Sequence, residues 1–365
     1  MIKTLKNFTL QMLAGANCFT IVLMLLAGYS DRLFPDDHPL LSTLGMTFPV
    51  FVLANIGFLV FWLLMKWTRA WIPVVGLALA YVPIRIYMPI HTPEQPPEGA
   101  IKIMSYNVCT YAGNKKYESG FETIRDYLSE AAPDILCTQE DNDRQHHDVI
   151  RDYQKVFAHN DTAILSNTVL ALNTLGMHTR FPIIKRERIF YDTKVNNGSV
   201  AWWLKVHGDT VIVINNHFES CHLSQSDRRQ YKQMLKGEMA SDSVRSESKI
   251  LWVKLAEANA KRSLQIDRVC QYVREHPRQY IIVCGDFNDN PISYSRHAMS
   301  QLLTDCYVET GRGVGLSYNQ KGFFFRIDHL FCSENIQPYN CFIDDKMDAS
   351  DHYPLICWLK IGGKE

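Results

Sequence analysis

Three apolar stretches occupy the first ninety residues of the chain. They run from Phe8 to Tyr29, from Met46 to Met65 and from Trp71 to Ile90. Each approaches the ~20 residues that cross the hydrocarbon core of a bilayer. The first two contain no charged residue, whereas the third contains Arg85 and prolines that include Pro73 and Pro83. This pattern predicts a transmembrane region over residues 1–90 with about three helices, or two if the third stretch does not cross.

Lysines and arginines near these stretches predict the orientation. Lys3 and Lys6 precede the first stretch, and Lys66 and Arg69 lie between the second and third. Residues 31–44 hold one arginine against three aspartates. Because positively charged loops stay in the cytoplasm, we expect a cytoplasmic N-terminus. With three spans the rest of the chain faces the non-cytoplasmic side, and with two it faces the cytoplasm. A cleaved signal peptide is disfavoured because a second apolar segment follows soon after the first.

A different pattern begins after residue 90. Residues 91–100 are rich in proline and have no apolar period, so they predict a semi-rigid linker. In residues 101–365, short apolar runs alternate with stretches of helical spacing. Strands are predicted at Ile101–Val108, Asp134–Thr138, Ala163–Ser166, Ser199–Val206, Thr210–Asn215, Tyr280–Cys284, Arg326–Cys332 and Leu355–Ile361, and helices at Phe121–Ala131 and, as a pair, within Ser226–His276. The mixture favours an α/β (α+β) domain of two packed mixed sheets flanked by helices, with a three-layer open sheet as the alternative.

Composition narrows the class of protein. The chain has 365 residues, of which 47% are hydrophobic, and this is too apolar for a disordered protein. Its ten cysteines include no Cys-x-x-Cys pair, which disfavours a zinc ribbon or a thioredoxin-like site. Its formal net charge is zero, whereas a tight, non-specific nucleic-acid binder is usually basic. An enzyme that contacts one or two phosphates remains compatible with this charge.

Polar side chains recur where the predicted strands begin or end. Any one of them has an ordinary explanation as a turn residue or helix cap. The series as a whole predicts a site that holds a divalent metal and attacks a phosphate ester, since it combines carboxylate, amide and imidazole groups. Its members are Asn107, Glu140, His217, Asp286, Asn288, Asp328, Asp351 and His352.

The order of these motifs resembles that of the endonuclease/exonuclease/phosphatase superfamily, which shares the fold of deoxyribonuclease I. The resemblance covers residues 101–361 and is strong only when the motifs are taken together. It implies a four-layer α/β sandwich and metal-dependent hydrolysis of a phosphate ester. The motifs are Ser-Tyr-Asn107, Gln-Glu140, Asn-x-His217, Gly-Asp286-x-Asn288, Ile-Asp328-His and Ser-Asp351-His352.

The resemblance also implies a role for each metal-binding residue. Glu140 would be the principal ligand, Asn107 would assist at the metal or its bound water, and Asp351 would join them. Hard oxygen ligands of this kind suit Mg²⁺ (or Mn²⁺). The metal would polarise a phosphoryl oxygen and stabilise charge on the leaving group.

The remaining motif residues would carry the chemistry. By the same resemblance, Asp286 would position or deprotonate the attacking water, and Asn288 would donate a hydrogen bond to the phosphoryl oxygen. His352 would contact the phosphate and be oriented by Asp328, because a carboxylate fixes the tautomer of an imidazole. His217 would be a second phosphate-contacting or acid group.

Two further residues are candidates for substrate binding. Arg180, in Thr-Arg-Phe-Pro-Ile, resembles a Ser-Arg-x-Pro stretch in which an arginine holds a phosphate, although the preceding residue departs from that pattern. Asn197 precedes a predicted strand and would face the site, with a turn residue in Asn-Asn-Gly as the alternative. The charged stretch 226–260 predicts a solvated helical face, with a lid over the substrate as the alternative.

These patterns together predict a membrane-anchored, metal-dependent phosphodiesterase or phosphatase. The expected partners are a phosphoester substrate (nucleic acid, phospholipid, inositol phosphate or small phosphate ester) and the membrane, with no obligate protein partner. A non-catalytic binding or scaffold protein of the same fold is the alternative, and it predicts the loss of site groups, whereas every expected position is occupied. A transporter is disfavoured because the apolar stretches hold few polar residues.

Overall fold

The computed structural model describes residues 2–111, 119–142, 149–168, 171–191, 197–221, 226–227, 229, 242–320 and 325–362. Helices precede the first strand in this structure. They are α1 (Ile2–Gly28), α2 (Pro39–Ser42), α3 (Phe48–Met65), α4 (Trp71–Leu79) and α5 (Tyr81–Tyr87), called here the N-terminal helices. Two segments, Thr4–Arg32 and Pro39–Met65, are long and apolar enough to cross a membrane.

The third apolar stretch is a bent pair of helices. The segments Trp67–Leu79 and Tyr81–Tyr87 meet at an angle of 61°. Pro83 explains the break, because a proline cannot donate to the carbonyl four residues earlier and its ring clashes with it. That carbonyl belongs to Leu79, and it accepts a hydrogen bond from the Tyr29 hydroxyl at 2.8 Å. The side chain of Tyr29 thus supplies the donor that the proline lacks.

The rest of the chain forms two six-stranded sheets. The strands are β1 (Ile101–Asn107), β2 (Ile135–Gln139), β3 (His159–Thr168), β4 (Ala171–Thr179), β5 (Ile183–Ile189), β6 (Gly198–Val206), β7 (Asp209–His217), β8 (Tyr280–Asp286), β9 (Thr304–Asp305), β10 (Asp328–Cys332), β11 (Ile336–Ile343) and β12 (Leu355–Ile361). The helices are α6 (Gly120–Ala131), α7 (Val149–Tyr153), α8 (Asp242–Glu275), α9 (Tyr294–Ser300) and α10 (Cys306–Thr310).

The two sheets have related topologies. The first has the order β11-β12-β1-β2-β4-β3, and the second has the order β5-β6-β7-β8-β10-β9. One central pair in each sheet is parallel, β1 with β2 and β7 with β8, and the other pairs are antiparallel. Because parallel neighbours end at the same edge of a sheet, Asn107 pairs with Gln139, and His217 pairs with Asp286.

The two sheets and the helices on their outer faces form a four-layer sandwich, and apolar side chains pack between the layers. Between the sheets lie residues such as Ile103, Trp202 and Ile282. The outer face of the first sheet packs against α6, and the outer face of the second packs against α8 and α9. The sequence explains α6, since Ser119 caps its first turn and its apolar residues recur at helical spacing.

This architecture confirms the predicted class, two packed mixed sheets flanked by helices after an apolar helical region. The last strand has its predicted bounds, and the first strand and helix differ by one residue at an end. The third strand is longer than predicted, because its pairing with β4 extends it to His159–Thr168. Of the predicted pair of helices, the described residues show α8 as one helix of 34 residues.

Candidate active site

The predicted polar residues meet at one edge of the two sheets. Strands β1, β2, β7 and β8 end at this edge, called here the site edge, and β10 begins there with Asp328 opposite Asp286. Asn107 joins the sheets, because its Nδ2 donates to Glu140 Oε1 at 3.2 Å and to Asp286 Oδ2 at 3.1 Å. The topology therefore brings together groups that are up to 245 residues apart in sequence, from Asn107 to His352.

His352 is held between two carboxylates. Its Nδ1 donates to Asp328 Oδ2 at 2.9 Å, and its Nε2 lies 3.6 Å from Asp286 Oδ2. Burial alone would lower the pKa of His352, but the carboxylates of Asp328 and Asp286 outweigh it and hold that pKa well above the ordinary value. The imidazole is therefore a cation at neutral pH. Ser350 fixes this motif to the first strand, because its Oγ donates to the Asn107 carbonyl at 2.7 Å.

The other histidine, His217, has the opposite electrostatic setting. Its Nε2 lies 3.9 Å from Glu140 Oε1 and 3.7 Å from Asp286 Oδ2. Burial lowers the pKa of His217, although Asp286 opposes that shift. Asn173 on β4 is within hydrogen-bond distance of its Nδ1, at 3.1–3.2 Å. His217 is therefore neutral at neutral pH, and the two histidines differ in charge.

Asp286 and Asn288 are arranged by the turn after β8. The backbone N–H of Asn288 donates to Asp286 Oδ1 at 2.8 Å, and its side chain donates to the Phe218 carbonyl at 3.0 Å. Asn288 has φ of 52°, a left-handed conformation that asparagine tolerates better than most residues. Burial and the nearby Asp328 raise the pKa of Asp286, which makes its carboxylate a stronger base.

Sequence reasoning did not identify the residues that support Glu140. The carboxylate of its neighbour, Asp141, accepts hydrogen bonds from Tyr111 Oη at 2.6 Å and Thr138 Oγ1 at 2.7 Å, and lies 2.9 Å from His178 Nε2. Glu140 itself has φ of 53°. A glutamate keeps a left-handed backbone conformation only where its surroundings stabilise it. The hydrogen bonds of the buried Asp141 provide that stabilisation. The run Gln-Glu-Asp-Asn contains Asp141, but nothing in it distinguishes Asp141 from a turn residue.

A buried polar layer beneath the site joins the sheets. Gln139 Nε2 donates to Asn215 Oδ1 at 2.6 Å, and Asn215 Nδ2 donates to the Thr138 carbonyl at 2.8 Å. Both residues are fully buried. Buried amides of this kind fix the relative position of two elements, because a shift would leave them without partners.

The donor set fits a divalent cation. The site holds the carboxylates of Glu140, Asp286, Asp328 and Asp351 against the single cationic imidazole of His352. One atom from each of Asp286, Asp328 and His352 lies within 4.8 Å of the others, and since the imidazolium of His352 cannot coordinate a metal, the oxygen atoms of the site are the ligands that a cation would use. Asp328 Oδ1 is buried and accepts no hydrogen bond, which is costly for a carboxylate oxygen unless a cation compensates it. The Glu140 side chain is one-third exposed, at 33%, and so is accessible to an incoming ion.

Three predicted residues lie in different relations to this cluster. Asp351 is half-buried next to His352 and lies outside the group of three ligand atoms. The side chain of Asn197 donates to the Phe218 carbonyl, so it supports the backbone beside His217. Arg180 is not brought to the site.

Arg180 lies at the opposite edge of the first sheet. It follows the end of β4 and its guanidinium lies 3.2 Å from Asp134 Oδ1, just before β2 begins. Five residues of β2 separate that edge from Glu140, a distance of roughly 16 Å or more. An arginine there is too far away to hold a phosphate at the site.

The family model described as the endonuclease/exonuclease/phosphatase family matches residues 104–352. The chain belongs to this family. Its enzymes hydrolyse phosphate esters with divalent metal ions, and this chain is a phosphoester hydrolase. A second family model, described as a domain of unknown function, matches residues 10–87. A search of curated proteins found no match.

Several solved structures share the fold. An endonuclease/exonuclease/phosphatase from Beutenbergia cavernae has a TM-score of 0.53 at 15% identity, over 73% of this chain and 72% of that chain. The human nocturnin catalytic domain with bound sulfate anion has a TM-score of 0.51 at 14% identity, over 73% and 96%. A Bacteroides vulgatus family member has a TM-score of 0.50 at 14% identity, over 72% and 99%. At these identities the likeness establishes the fold alone.

Proposed function

We propose that the chain is a membrane-anchored, divalent-metal-dependent phosphodiesterase that cleaves its substrate by in-line attack of water. The observation that carries this proposal is a set of contacts shorter than 4 Å at the site edge. They join Asn107 and His217 each to Glu140 and Asp286, and His352 to Asp286. A site with one cationic and one neutral histidine around carboxylates has the acid and the base that such a displacement needs.

The electrostatic settings assign the proton transfers. Asp286, with its raised pKa, accepts a proton from the attacking water as the water oxygen bonds to phosphorus. The P–O bond to the leaving alcohol breaks, and the alcohol oxygen takes a proton from the imidazolium of His352. The neutral His217 donates an N–H hydrogen bond to a phosphoryl oxygen and does not act as the acid. Asn288 donates a hydrogen bond to the same phosphoryl group. Asp328 orients the imidazole of His352 and favours its protonated form.

Glu140 and Asn107 would hold the metal ion, with Asp351 as a further oxygen ligand. Carboxylate and amide oxygens favour Mg²⁺ or Mn²⁺ over softer metals. When bound, such an ion polarises a phosphoryl oxygen and stabilises the charge that develops on the leaving oxygen. Asp141 contributes by keeping the Glu140 carboxylate directed into the site.

We also propose that residues 1–90 are a membrane region, 91–100 a linker and 101–365 the catalytic domain. Residues 30–47, which hold the loop between the first two candidate spans and the start of the second, pack on the catalytic domain through Ser42 and Gly45. This contact supports placing these two parts on the same face of the membrane. Because the catalytic domain follows α5, this arrangement favours a third crossing by the bent pair of helices. With three crossings, Lys3 and Lys6 favour the non-cytoplasmic face for the domain.

Hydrolysis of bis(p-nitrophenyl) phosphate by the full chain in detergent tests the catalytic proposal. We expect turnover with Mg²⁺ or Mn²⁺ and none after chelation. Asp286→Asn should lower kcat by at least about a hundredfold, since it removes the general base, and Glu140→Gln should raise the metal concentration needed for half-maximal rate. Arg180→Ala is the matched control and should stay within about twofold of the parent.

A binding or scaffold protein of the same fold would give a different result. Its residual turnover would be the same in the parent and in both site variants. Metal affinity measured by calorimetry separates the two effects, because Glu140→Gln should weaken Mn²⁺ binding whether or not the chosen ester is a good substrate.

A further inference from the structure

The N-terminal helices contact the catalytic domain at the site edge. Gly45, in the turn before α3, packs so closely that a Cβ atom there would overlap the carbonyl oxygen of Ile292. Ile292 lies four residues after Asn288 and is buried with Met24 of α1 and Phe48 of α3. The active-site turn after β8 therefore rests on the ends of the candidate membrane spans.

Arg326 makes a second connection of the same kind. Its buried guanidinium donates to the Ile86 carbonyl at 2.8 Å and to the Val314 carbonyl at 2.6 Å. Carbonyls in the last turn of a helix lack an intrahelical partner, so the arginine satisfies the end of α5. Two residues further on, Asp328 holds His352. The end of α5 is thus linked to His352 through Arg326 and Asp328, which are two residues apart.

Helix α8 supplies a third connection. Asn259 Nδ2 donates to Ser42 Oγ at 2.9 Å, between α8 and α2. Three residues later on the same helix, Arg262 Nε lies 3.3 Å from Asp289 Oδ2, beside Asn288. One stretch of α8 therefore contacts both the N-terminal helices and the active-site turn.

The linker fixes the direction in which the site edge points. At its start, His91 contacts the Val308 carbonyl, 3.0 Å away. It then runs beside β11 and β12, where the Glu94 N–H donates to Asn340 and the Glu98 carbonyl accepts from Lys360. The chain thus reaches the edge opposite the site before β1 begins. Strand β1 and its parallel neighbour then run back toward the N-terminal helices and end at the site.

From these contacts we infer that the site works at the bilayer surface, on a phosphodiester of a membrane lipid in the leaflet that the site edge faces. This inference rests on the proposed phosphodiesterase function. The fold presents the catalytic groups to the membrane that anchors the chain, and the lipid is the substrate class that is always present there. Hydrolysis would leave one product in the bilayer and release the other into water.

The distances permit this reach. Arg326 and Asp328 are two residues apart, or at most ~7 Å, and Ile292 and Asn288 are four residues apart, or at most ~14 Å. The headgroup layer adds roughly 5–8 Å on each side of the hydrocarbon core. A lipid phosphate lies in that layer, beside the span ends, so it lies within roughly 7–14 Å of the site edge. The zero formal net charge of the chain disfavours a long nucleic acid, whose affinity comes mainly from basic residues.

A comparison of hydrolysis within and between vesicles tests the inference. The full chain is reconstituted in phosphatidylethanolamine–phosphatidylglycerol vesicles. A headgroup-labelled tracer of phosphatidylcholine, phosphatidylethanolamine, phosphatidylglycerol or sphingomyelin is placed either in the same vesicles or in separate ones. We expect at least one tracer to be cleaved at least tenfold faster in the same vesicles. The set of tracers distinguishes a glycerophospholipid from a sphingolipid substrate.

Two results would overturn the inference. One is equal cleavage of the tracer in the same and in separate vesicles. The other is cleavage of single- or double-stranded DNA with no cleavage of any lipid tracer. Bis(p-nitrophenyl) phosphate is assayed in the same preparations, so that a failure of lipid hydrolysis alone is distinguished from a failure of the phosphodiesterase function itself.

A matched pair of glycine variants tests the role of the docking contact. Gly45→Ala inserts a methyl group against Ile292, whereas Gly57→Ala adds one where no atom lies within 4 Å. We expect Gly45→Ala to lower lipid turnover at least fivefold and to leave bis(p-nitrophenyl) phosphate turnover within about twofold. Gly57→Ala should change neither. An equal effect of Gly45→Ala on both substrates, or none on either, would contradict positioning of the site at the bilayer by this contact.

Discussion

The Nδ1 atom of His352 lies 2.9 Å from Oδ2 of Asp328, and both groups are buried. The partnership sets the charge of the histidine, because burial alone would lower the pKa of His352 and the carboxylates of Asp328 and Asp286 raise it well above its ordinary value. The imidazolium therefore persists at neutral pH and is lost only as the pH rises through that raised pKa.

Replacement of Asp328 should move the alkaline limit of activity. In Asp328→Asn the strongest influence that raises the pKa of His352 is gone, so the imidazolium is lost at a lower pH. We expect the alkaline limb of the kcat profile to shift to lower pH by about one unit or more, with activity partly recovered near pH 6. Asp126→Asn, at an exposed position on α6, is the control and should keep the parental limb. An unshifted limb in Asp328→Asn would show that His352 is not the acid.

Gly176 should control the metal site although it contacts no metal ligand. A Cβ atom at this position would overlap Asp141 Oδ2 and Thr138 Oγ1, and Asp141 holds the left-handed backbone of Glu140. We expect Gly176→Ala to weaken Mn²⁺ binding at least tenfold, measured by calorimetry, and to destabilise the fold by about 1–3 kcal/mol.

A control and a second variant separate these two effects. Gly15→Ala adds a methyl group where nothing lies within 4 Å and should change neither quantity. Asp141→Asn preserves the size of the side chain but weakens its hydrogen bonds with Tyr111, Thr138 and His178. It should weaken Mn²⁺ binding with little loss of stability beyond a hydrogen bond, about 1–2 kcal/mol. Unaltered Mn²⁺ affinity in both Gly176→Ala and Asp141→Asn would show that Glu140 does not need this support.

His329 should make the fold sensitive to acid. Burial lowers the pKa of His329 to about 4, and its Nε2–H donates to the Asp289 carbonyl at 3.0 Å. At a pH between the unfolded pKa, near 6.5, and the folded pKa, His329 binds a proton in the unfolded chain but not in the folded chain. The free energy of unfolding therefore falls as the pH falls through this window, by up to about 1.4 kcal/mol per pH unit.

The variant His329→Gln keeps an N–H donor and removes the titration. We expect the loss of stability between pH 7 and pH 5 to be smaller by about 2 kcal/mol than in the parent, measured by urea unfolding of the full chain in detergent. His207→Asn, at an exposed turn, is the control and should behave like the parent. An acid response as steep in His329→Gln as in the parent would assign it to other groups, such as His217.

The sequence predicted which side chains gather at the candidate site where those side chains sit at strand ends. The ends of β1, β7 and β8 are marked by apolar runs that stop at Asn107, His217 and Asp286, so the pattern locates the groups and the parallel pairing brings them together. Asn173 was missed because β4 has no clear alternation of apolar and polar residues. Its contact with His217 depends on the position of β4 in the first sheet and on the packing of that sheet against the second, and a local pattern does not contain that information.

Arg180 shows the opposite failure. Its local sequence resembles a phosphate-binding stretch. However, Arg180 follows the last residue of β4, which runs antiparallel to β2, so it lies at the edge of the sheet opposite the site. Resemblance over a few residues does not specify the end of the sheet at which they lie. The docking of the N-terminal helices was likewise beyond prediction, because Ser42 and Asn259 are 217 residues apart and neither belongs to a recognisable motif.

The number of membrane crossings can be decided by cysteine labelling. Three exposed positions report on the three connecting segments. Asp37 lies between the first two candidate spans, Thr68 lies in the turn before α4, and Gln95 lies in the linker. If the bent helices complete a third crossing, Asp37→Cys and Gln95→Cys should react with an impermeant maleimide from the same side, and Thr68→Cys only after permeabilisation. A re-entrant pair would instead place positions 68 and 95 together and position 37 apart. That outcome would contradict the packing of residues 30–47 on the catalytic domain, since two segments on opposite faces of a bilayer cannot share the contact between Gly45 and Ile292. The parent chain, with its native cysteines, sets the background of the assay.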